Sequence, residues 1–282
     1  MTKNPVVVFF CCTLLLLGCE KTDVTLVAAA GGEALRALTL SDEQVRQIAA
    51  ESVQSADARN TLAPSDNDYA LRLQRLVGTN LQEGSQKFAC GVYLSPDVNA
   101  FAMADGTIRV FSGLMDLLDD GEVRFVVGHE MGHVAKSHIR EKLRLAYAAS
   151  AVRKGVASQS NAAGEVARSF FGDLSESLLN AQFSQIEEKE ADDYGLLFLK
   201  REGCDPRAAV SALEKLSRLS KGHSFLSTHP DPEKRAERLQ AQVDGRAVSI
   251  DEGKQSMLRK ISAFMANGFP YLYKQLRNWL PG

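Results

Sequence analysis

Apolar positions recur at helical spacing through most of the chain and at strand spacing in one short middle stretch. Ser41 followed by Asp42 and Glu43 predicts a helix reaching about Arg59. Tyr69, Leu73 and Leu76 mark one face of a second helix over Asp66 to Val77. Phe88 to Leu94 reads as a strand, and Asn99 to Met103 and Thr107 to Phe111 read as two more, joined through the hairpin signal Asp105-Gly106. After Gly121 the period changes: Val123, Val126, Val127, Met131 and Val134 predict a helix that continues past His138, because Lys142 to Val152 holds no breaker. Residues 153 to 165 are small and polar and read as a loop, followed by a helix to about Asn180. Ser184 with Glu187 is a capping box opening a helix to about Arg201. Asp205-Pro206 and Asp231-Pro232 each put an N-cap before a first-turn proline. The sum is an α+β chain, mainly helical, with one small sheet and no nucleotide-binding glycine loop.

The N-terminus follows a different pattern. Lys3 precedes an apolar run from Val6 to Leu17, which has signal-peptide length and is short for a bilayer span. It ends in Leu16-Leu17-Gly18-Cys19, which resembles the bacterial lipobox, with Leu17 a less usual occupant of its slot. Residues 1–18 are then a lipoprotein signal peptide, Cys19 the lipidated residue, and 19–40 a tether rich in small residues. Glu20 after the cysteine, by resemblance to enteric lipoproteins, implies the outer membrane, on its periplasmic face. The mature chain keeps two further cysteines, Cys90 and Cys204, for which a disulfide and two free thiols are both open.

Composition adds exclusions. With 282 residues and 45% hydrophobic content the chain can bury one substantial core, or one core plus a small appendage. A formal charge of −2 gives no reason to expect a nucleic-acid partner.

The chemistry concentrates at His129-Glu130-Met131-Gly132-His133. Residues four apart on a helix lie about 40° apart round the axis, so both imidazoles reach one Zn²⁺ at about 2.0–2.1 Å. Glu130 stands beside the first ligand, placed to take a proton from water acidified by the metal. The motif sits in an apolar helix, where burying two histidines and a glutamate costs on the order of several kcal/mol unless they are paired or bind metal. A catalytic site needs a third protein ligand. The acidic run from Glu187 to Asp193 supplies candidates, and Glu188 and Asp192 share a helix face. Spacing alone leaves Glu187, Glu188 and Glu190 open; an acidic first turn complementing the helix dipole is the plainer explanation.

These segments together resemble the HtpX/BepA/LoiP-type family of gluzincin zinc metalloproteases, and within it the LoiP-like outer-membrane lipoprotein peptidases. The likeness covers about residues 41 to 240, through Asn99 to Met103, Ile108 to Leu114, Gly128 to His133 and Glu188-Lys189-Glu190-Ala191-Asp192. It implies a zincin-like metalloprotease domain over 41–245, with a small β-sheet packed beside the helix of His129 and His133. It also implies one Zn²⁺ on His129, His133 and Glu188, with Asp192 behind them as supporting residue or proton donor. His229-Pro230, with Arg235 beyond, resembles a further family element near the metal, so His229 is either an inhibitory fourth ligand or a donor to the oxyanion, with Arg235 a candidate for the same switch or oxyanion role. His138 and His223 have no such pattern.

The strand Asn99, Ala100, Phe101, Ala102, Met103 is the expected site for an extended peptide, held by main-chain pairing. The expected activity is zinc-dependent cleavage of unfolded or misfolded envelope proteins, with Glu130 as general base. The alternative is a lipid-anchored chaperone or outer-membrane assembly factor with latent proteolysis and an envelope protein partner. The tail, 246–282, carries an apolar stripe (Met257, Ile261, Phe264, Met265) of unassigned role.

Overall fold

The computed structural model describes residues 24–79, 81–144, 146–147, 182–219 and 224–246. The signal peptide, Cys19, the expected loop and helix between 153 and 180, His223 and the C-terminal tail lie outside the described residues. In chain order the elements are α1 (Val24–Thr39), α2 (Asp42–Arg59), α3 (Asp68–Val77), β1 (Gln82–Glu83), β2 (Gln86–Lys87), β3 (Ala89–Tyr93), β4 (Ala100–Ala102), β5 (Thr107–Phe111), α4 (Ser112–Leu117), α5 (Asp120–Ala135), α6 (Gln185–Arg201), α7 (Arg207–Ser217), α8 (Ser224–Thr228) and α9 (Pro232–Val243). The mainly helical α+β expectation therefore holds. The described residues divide between two units, 24–56, 103–105 and those from 137 to 147 in one, and those within 57–102, 106–136 and 182–246 in the other. The span 41–245, read from sequence as one protease domain, is shared between them.

In the first unit, Leu40 and Val45 pack with Leu143 and Tyr147. The expected tether is helical over Val24–Thr39. Its alanines are the strongest helix formers and outweigh the cost of Gly31-Gly32.

The second unit is built round α5 and a small sheet in the order β3-β5-β4. β4 and β5 form the expected antiparallel hairpin, with Ala100 opposite Val110. The turn needs Gly106, at φ +93, where a Cβ would come within 2.1 Å of the Lys87 carbonyl oxygen. β3 pairs parallel to β5, so the central strand is covered along both edges and buried at all five positions. Asp57, at the end of α2, accepts two bonds from Arg109 on β5, both at 3.0 Å, and one at 2.6 Å from the Tyr93 hydroxyl. Cys90 and Cys204 are free thiols, and burial pushes Cys90 up to about 12.

α5 starts at Asp120, one residue ahead of Gly121, with Asp119 and Glu122 forming a capping box. The Glu122 side chain is fully buried and also accepts from Ser211 Oγ at 2.5 Å and Lys215 Nζ at 2.6 Å, tying α7 to the start of α5. The helix does not run past His138. It ends at Ala135, and Ser137 takes a left-handed φ of 62° before helical geometry resumes at residue 138. No glycine or proline marks this break; burial of the helix lapses at Ala135–Ser137, and with it the packing that would extend the helix.

Residues of very small size set the approach of α5 to α6. A Cβ on Gly128 would lie 2.8 Å from Phe198 and 3.1 Å from the Gly195 Cα; one on Gly132 would lie 2.9 Å from both the Ala191 Cα and the Tyr194 Cβ. The backbones thus meet along Gly128 and Gly132 facing Ala191 and Gly195. Phe125, Val126, Val127 and Met131 of α5 join Leu196 and Leu199 of α6 and Leu213 of α7 in the main core.

Candidate metal centre

The close approach of α5 and α6 brings the first donors together. His129 and His133, one turn apart on α5, have their Nε2 atoms 3.0 Å apart. Ser184 and Glu187 form the expected capping box at the start of α6. That fixes the helix phase: Glu187 is used by the cap, Glu190 faces solvent, and Glu188 is buried at 1% exposure. Glu188 Oε1 lies 3.3 Å from His133 Nε2, and Oε2 lies 3.8 Å from His129 Nε2.

His229 follows α8. Its Nδ1 lies 3.0 Å from Glu188 Oε1 and 3.3 Å from His129 Nε2, while Nε2 lies 3.4 Å from Glu130 Oε1. Aromatic rings hold the histidines in place: Phe183 stacks on His133 at 3.7 Å, and Phe225 on His229 at 4.7 Å. The Phe183 amide also donates to the Thr228 carbonyl at 3.0 Å, binding the chain before α6 to the residue before His229.

A second layer of charge lies behind the donors. Asp192, one turn after Glu188, meets His129 Nδ1 at 3.0 Å. Arg235 of α9 donates to both Asp192 oxygens, at 2.9 and 2.6 Å, and contacts Glu188 Oε2. Burial alone raises the Asp192 carboxyl, but the Arg235 charge and the bonds from His129 and Arg235 outweigh it and hold Asp192 at about 2. Glu188 is likewise pushed up by burial and pulled well below the carboxylate range by Arg235 and His229. Burial drives His133 down toward its neutral form. Arg235 is raised because Asp192 and Glu188 outweigh its own burial.

This arrangement suits a cation. The Asp192 carboxylate can only accept, so it fixes the His129 proton on Nδ1 and leaves Nε2 as a lone pair. That lone pair faces His133 Nε2, His229 Nδ1 and Glu188, a convergence of four buried donor atoms all within 4.8 Å of one another. Tetrahedral bonds of about 2.0–2.1 Å put ligand atoms about 3.3 Å apart; the contacts here run from 3.0 Å between His129 and His133 to 3.8 Å between His129 Nε2 and Glu188 Oε2, and all four donors lie within 4.8 Å of one another. His129, His133, Glu188 and His229 therefore fit a tetrahedral divalent metal with nitrogen and oxygen ligands. Glu130 Oε1 is buried and makes no hydrogen bond among the described residues; its ion-pair contact is His229 Nε2 at 3.4 Å.

Of the residues singled out from sequence, His129, Glu130, His133, Glu188, Asp192, His229 and Arg235 come together here. Arg235 faces the rear of the two carboxylates, so its geometry is that of a positioning residue, not of an oxyanion donor. β4 is shorter than expected, Ala100–Ala102 within Asn99–Met103, and forms one edge of its sheet. Asp231 is not a side-chain N-cap: it takes a left-handed φ of 53°, and its carboxylate accepts from Gln185 at 3.1 Å. His138 is buried in the other unit. Sequence reasoning passed over Phe183, Phe225 and the small-residue seam. Gly128 and Gly132 four apart, with Ala191 and Gly195 four apart, were the available signal for the seam; the two phenylalanines had none.

A family model described as Peptidase family M48 matches residues 66–243. The chain is 39% identical over 239 residues to the metalloprotease LoiP of Escherichia coli strain K12, covering 83% of this chain and 94% of that protein. It is 35% identical over 237 residues to the metalloprotease YcaL of the same organism, covering 81% and 92%. A beta-barrel assembly-enhancing protease of Yersinia pestis is 29% identical over 218 residues, covering 70% of this chain and 42% of that one.

Proposed function

The chain belongs to peptidase family M48 and is a metalloendopeptidase, and from that premise we propose that it uses zinc to cleave unfolded or misfolded envelope proteins. The observation that carries this is the convergence of His129, His133 and Glu188 beside a buried Glu130 whose Oε1 makes no hydrogen bond among the described residues. Bound by those three ligands, zinc would supply a Lewis acid and a water acidified to near neutral pH. Glu130 takes the proton from the attacking water and passes it to the leaving amine. Asp192 holds His129 in the tautomer that keeps Nε2 free, and Arg235 neutralises the two carboxylates so that both stay ionised. The edge position of β4 supports pairing with an extended backbone. Such pairing reads little side-chain identity, which suits unfolded substrates. The resemblance of residues 16–19 to a lipobox supports attachment through Cys19 to the periplasmic face of the outer membrane.

His229 supports a latent resting state. With a metal held by the other three, His229 would take the fourth position, and its other ring nitrogen faces Glu130. Turnover then requires His229 to withdraw, after which it is free to donate to the oxyanion. The same closed geometry favours, as a second reading, a client-binding assembly factor that cleaves only when opened.

The test compares wild type with Glu130→Gln on an unfolded protein, with zinc content measured in both. Cleavage should fall at least 100-fold in the variant while zinc stays near one per chain. Cleavage that survives at full zinc loading would overturn Glu130 as the base.

A further inference from the structure

α1 presents the wrong face to water. Its described exposed positions are Thr25, Val27, Ala28, Gly31, Gly32, Ala34, Leu35 and Thr39, while Leu26, Ala29, Ala30 and Glu33 are half-buried. At 100° per residue the eight exposed positions fall within an arc of about 180°, and the four half-buried ones lie opposite. Among the described residues the exposed arc thus has no charge, and it includes Val27 at 45% and Leu35 at 60% exposure, while Glu33 lies on the half-buried side. A helix facing solvent has the reverse arrangement. The glycines leave the arc smooth, with nothing within 4 Å of a Cβ at Gly31 or Gly32.

What covers that arc follows from where the chain comes from. Five residue steps separate Cys19 from Val24, a reach of at most about 18 Å. If Cys19 is acylated, α1 begins within that distance of the bilayer. At 16 residues the helix is about 24 Å long, short of the hydrocarbon thickness of about 30 Å, and no helix among the described residues is long and apolar enough to cross a membrane. An uncharged face held this near a bilayer, on a helix too short to span it, suits a position along the surface. The lipid chain keeps the local concentration high, so the face needs only weak affinity of its own.

We propose that the uncharged face of α1 lies against the phospholipid surface, with Val27 and Leu35 at the boundary between headgroups and acyl chains. This rests on the lipid-anchor reading of Cys19. The experiment places a benzophenone amino acid at position 27, 30 or 35 of the full chain, purified with its native N-terminus and reconstituted into phosphatidylethanolamine–phosphatidylglycerol vesicles. Acylation of Cys19 is measured by mass spectrometry in the same samples. Irradiation should give lipid adducts at 27 and 35 at least fivefold above those at 30, and Val27→Glu with Leu35→Glu should remove the adduct from a probe at 28. Acylated protein that gives no lipid adducts, or adducts only to a second copy of the chain, overturns the inference alone. An unmodified Cys19 overturns the anchor reading, and the inference with it.

Discussion

Gly132→Ala should separate the placing of the metal ligands from the stability of the fold. In isolation the substitution favours the helix by about 1 kcal/mol. Here the new Cβ would sit 2.9 Å from both the Ala191 Cα and the Tyr194 Cβ. Ordinary carbon contact needs about 3.5–4.0 Å, so α5 and α6 must part by about 0.6–1 Å. Overpacking of this kind costs about 1–3 kcal/mol, which leaves a net loss of about 0–2 kcal/mol and a folded protein. The site tolerates the shift less well. His133 and Glu188, now 3.3 Å apart, would move toward about 4 Å, while metal bonds accept deviations of about 0.2 Å. Zinc affinity should fall at least tenfold, read by competition with a chromophoric chelator, while the urea midpoint of the metal-free protein moves little. Gly32→Ala, where nothing lies within 4 Å of the added Cβ, serves as the opposite control and should leave zinc affinity unchanged. A Gly132→Ala protein that binds zinc as tightly as wild type would refute the idea that this seam sets the ligand spacing.

Three further outcomes follow from the same geometry. His229→Ala should raise peptide cleavage several-fold if His229 mainly closes the site, with zinc retained on the other three ligands; a fall in kcat at constant KM would assign it to the oxyanion instead. Chelation of the metal should abolish cleavage and lower Tm, and returning zinc should restore both, since a ligand bound at 100 times its Kd stabilises by about 2.7 kcal/mol; an unchanged Tm would argue against the four-donor site. Asp57 is held below its ordinary pKa by the Arg109 bonds, against the opposing effect of burial and with help from Tyr93. Its contribution is therefore present above the unfolded value of about 3.9 and lost as pH falls through the lower folded value. Wild type should exceed Asp57→Asn in urea midpoint by a constant margin above pH 5 and lose that margin below pH 4; a margin persisting at pH 2 would show that the bridge is not its source.

Local rules fixed much of this protein in its sequence. The i, i+4 pair His129 and His133, the Ser184–Glu187 capping box and the Asp105-Gly106 turn each depend on neighbours within a few residues, and each forms where the spacing places it. Residue spacing left three glutamates in contention, and family resemblance rather than geometry pointed to Glu188. The fold supplies the physical reason: the cap consumes Glu187, and the phase it sets turns Glu188 inward and Glu190 to solvent. Other features had no local trace. The parallel pairing of β3 with β5, the end of α5 at Ala135 and the placing of Arg235 behind two carboxylates all depend on residues far apart in sequence. So does the gathering of His229 to within 3.3 Å of His129, a hundred residues away. Sequence determined which side chains have metal chemistry; only tertiary packing, through glycines small enough to let two helices touch, decided that four of them converge and that a fifth, Glu130, is buried beside them.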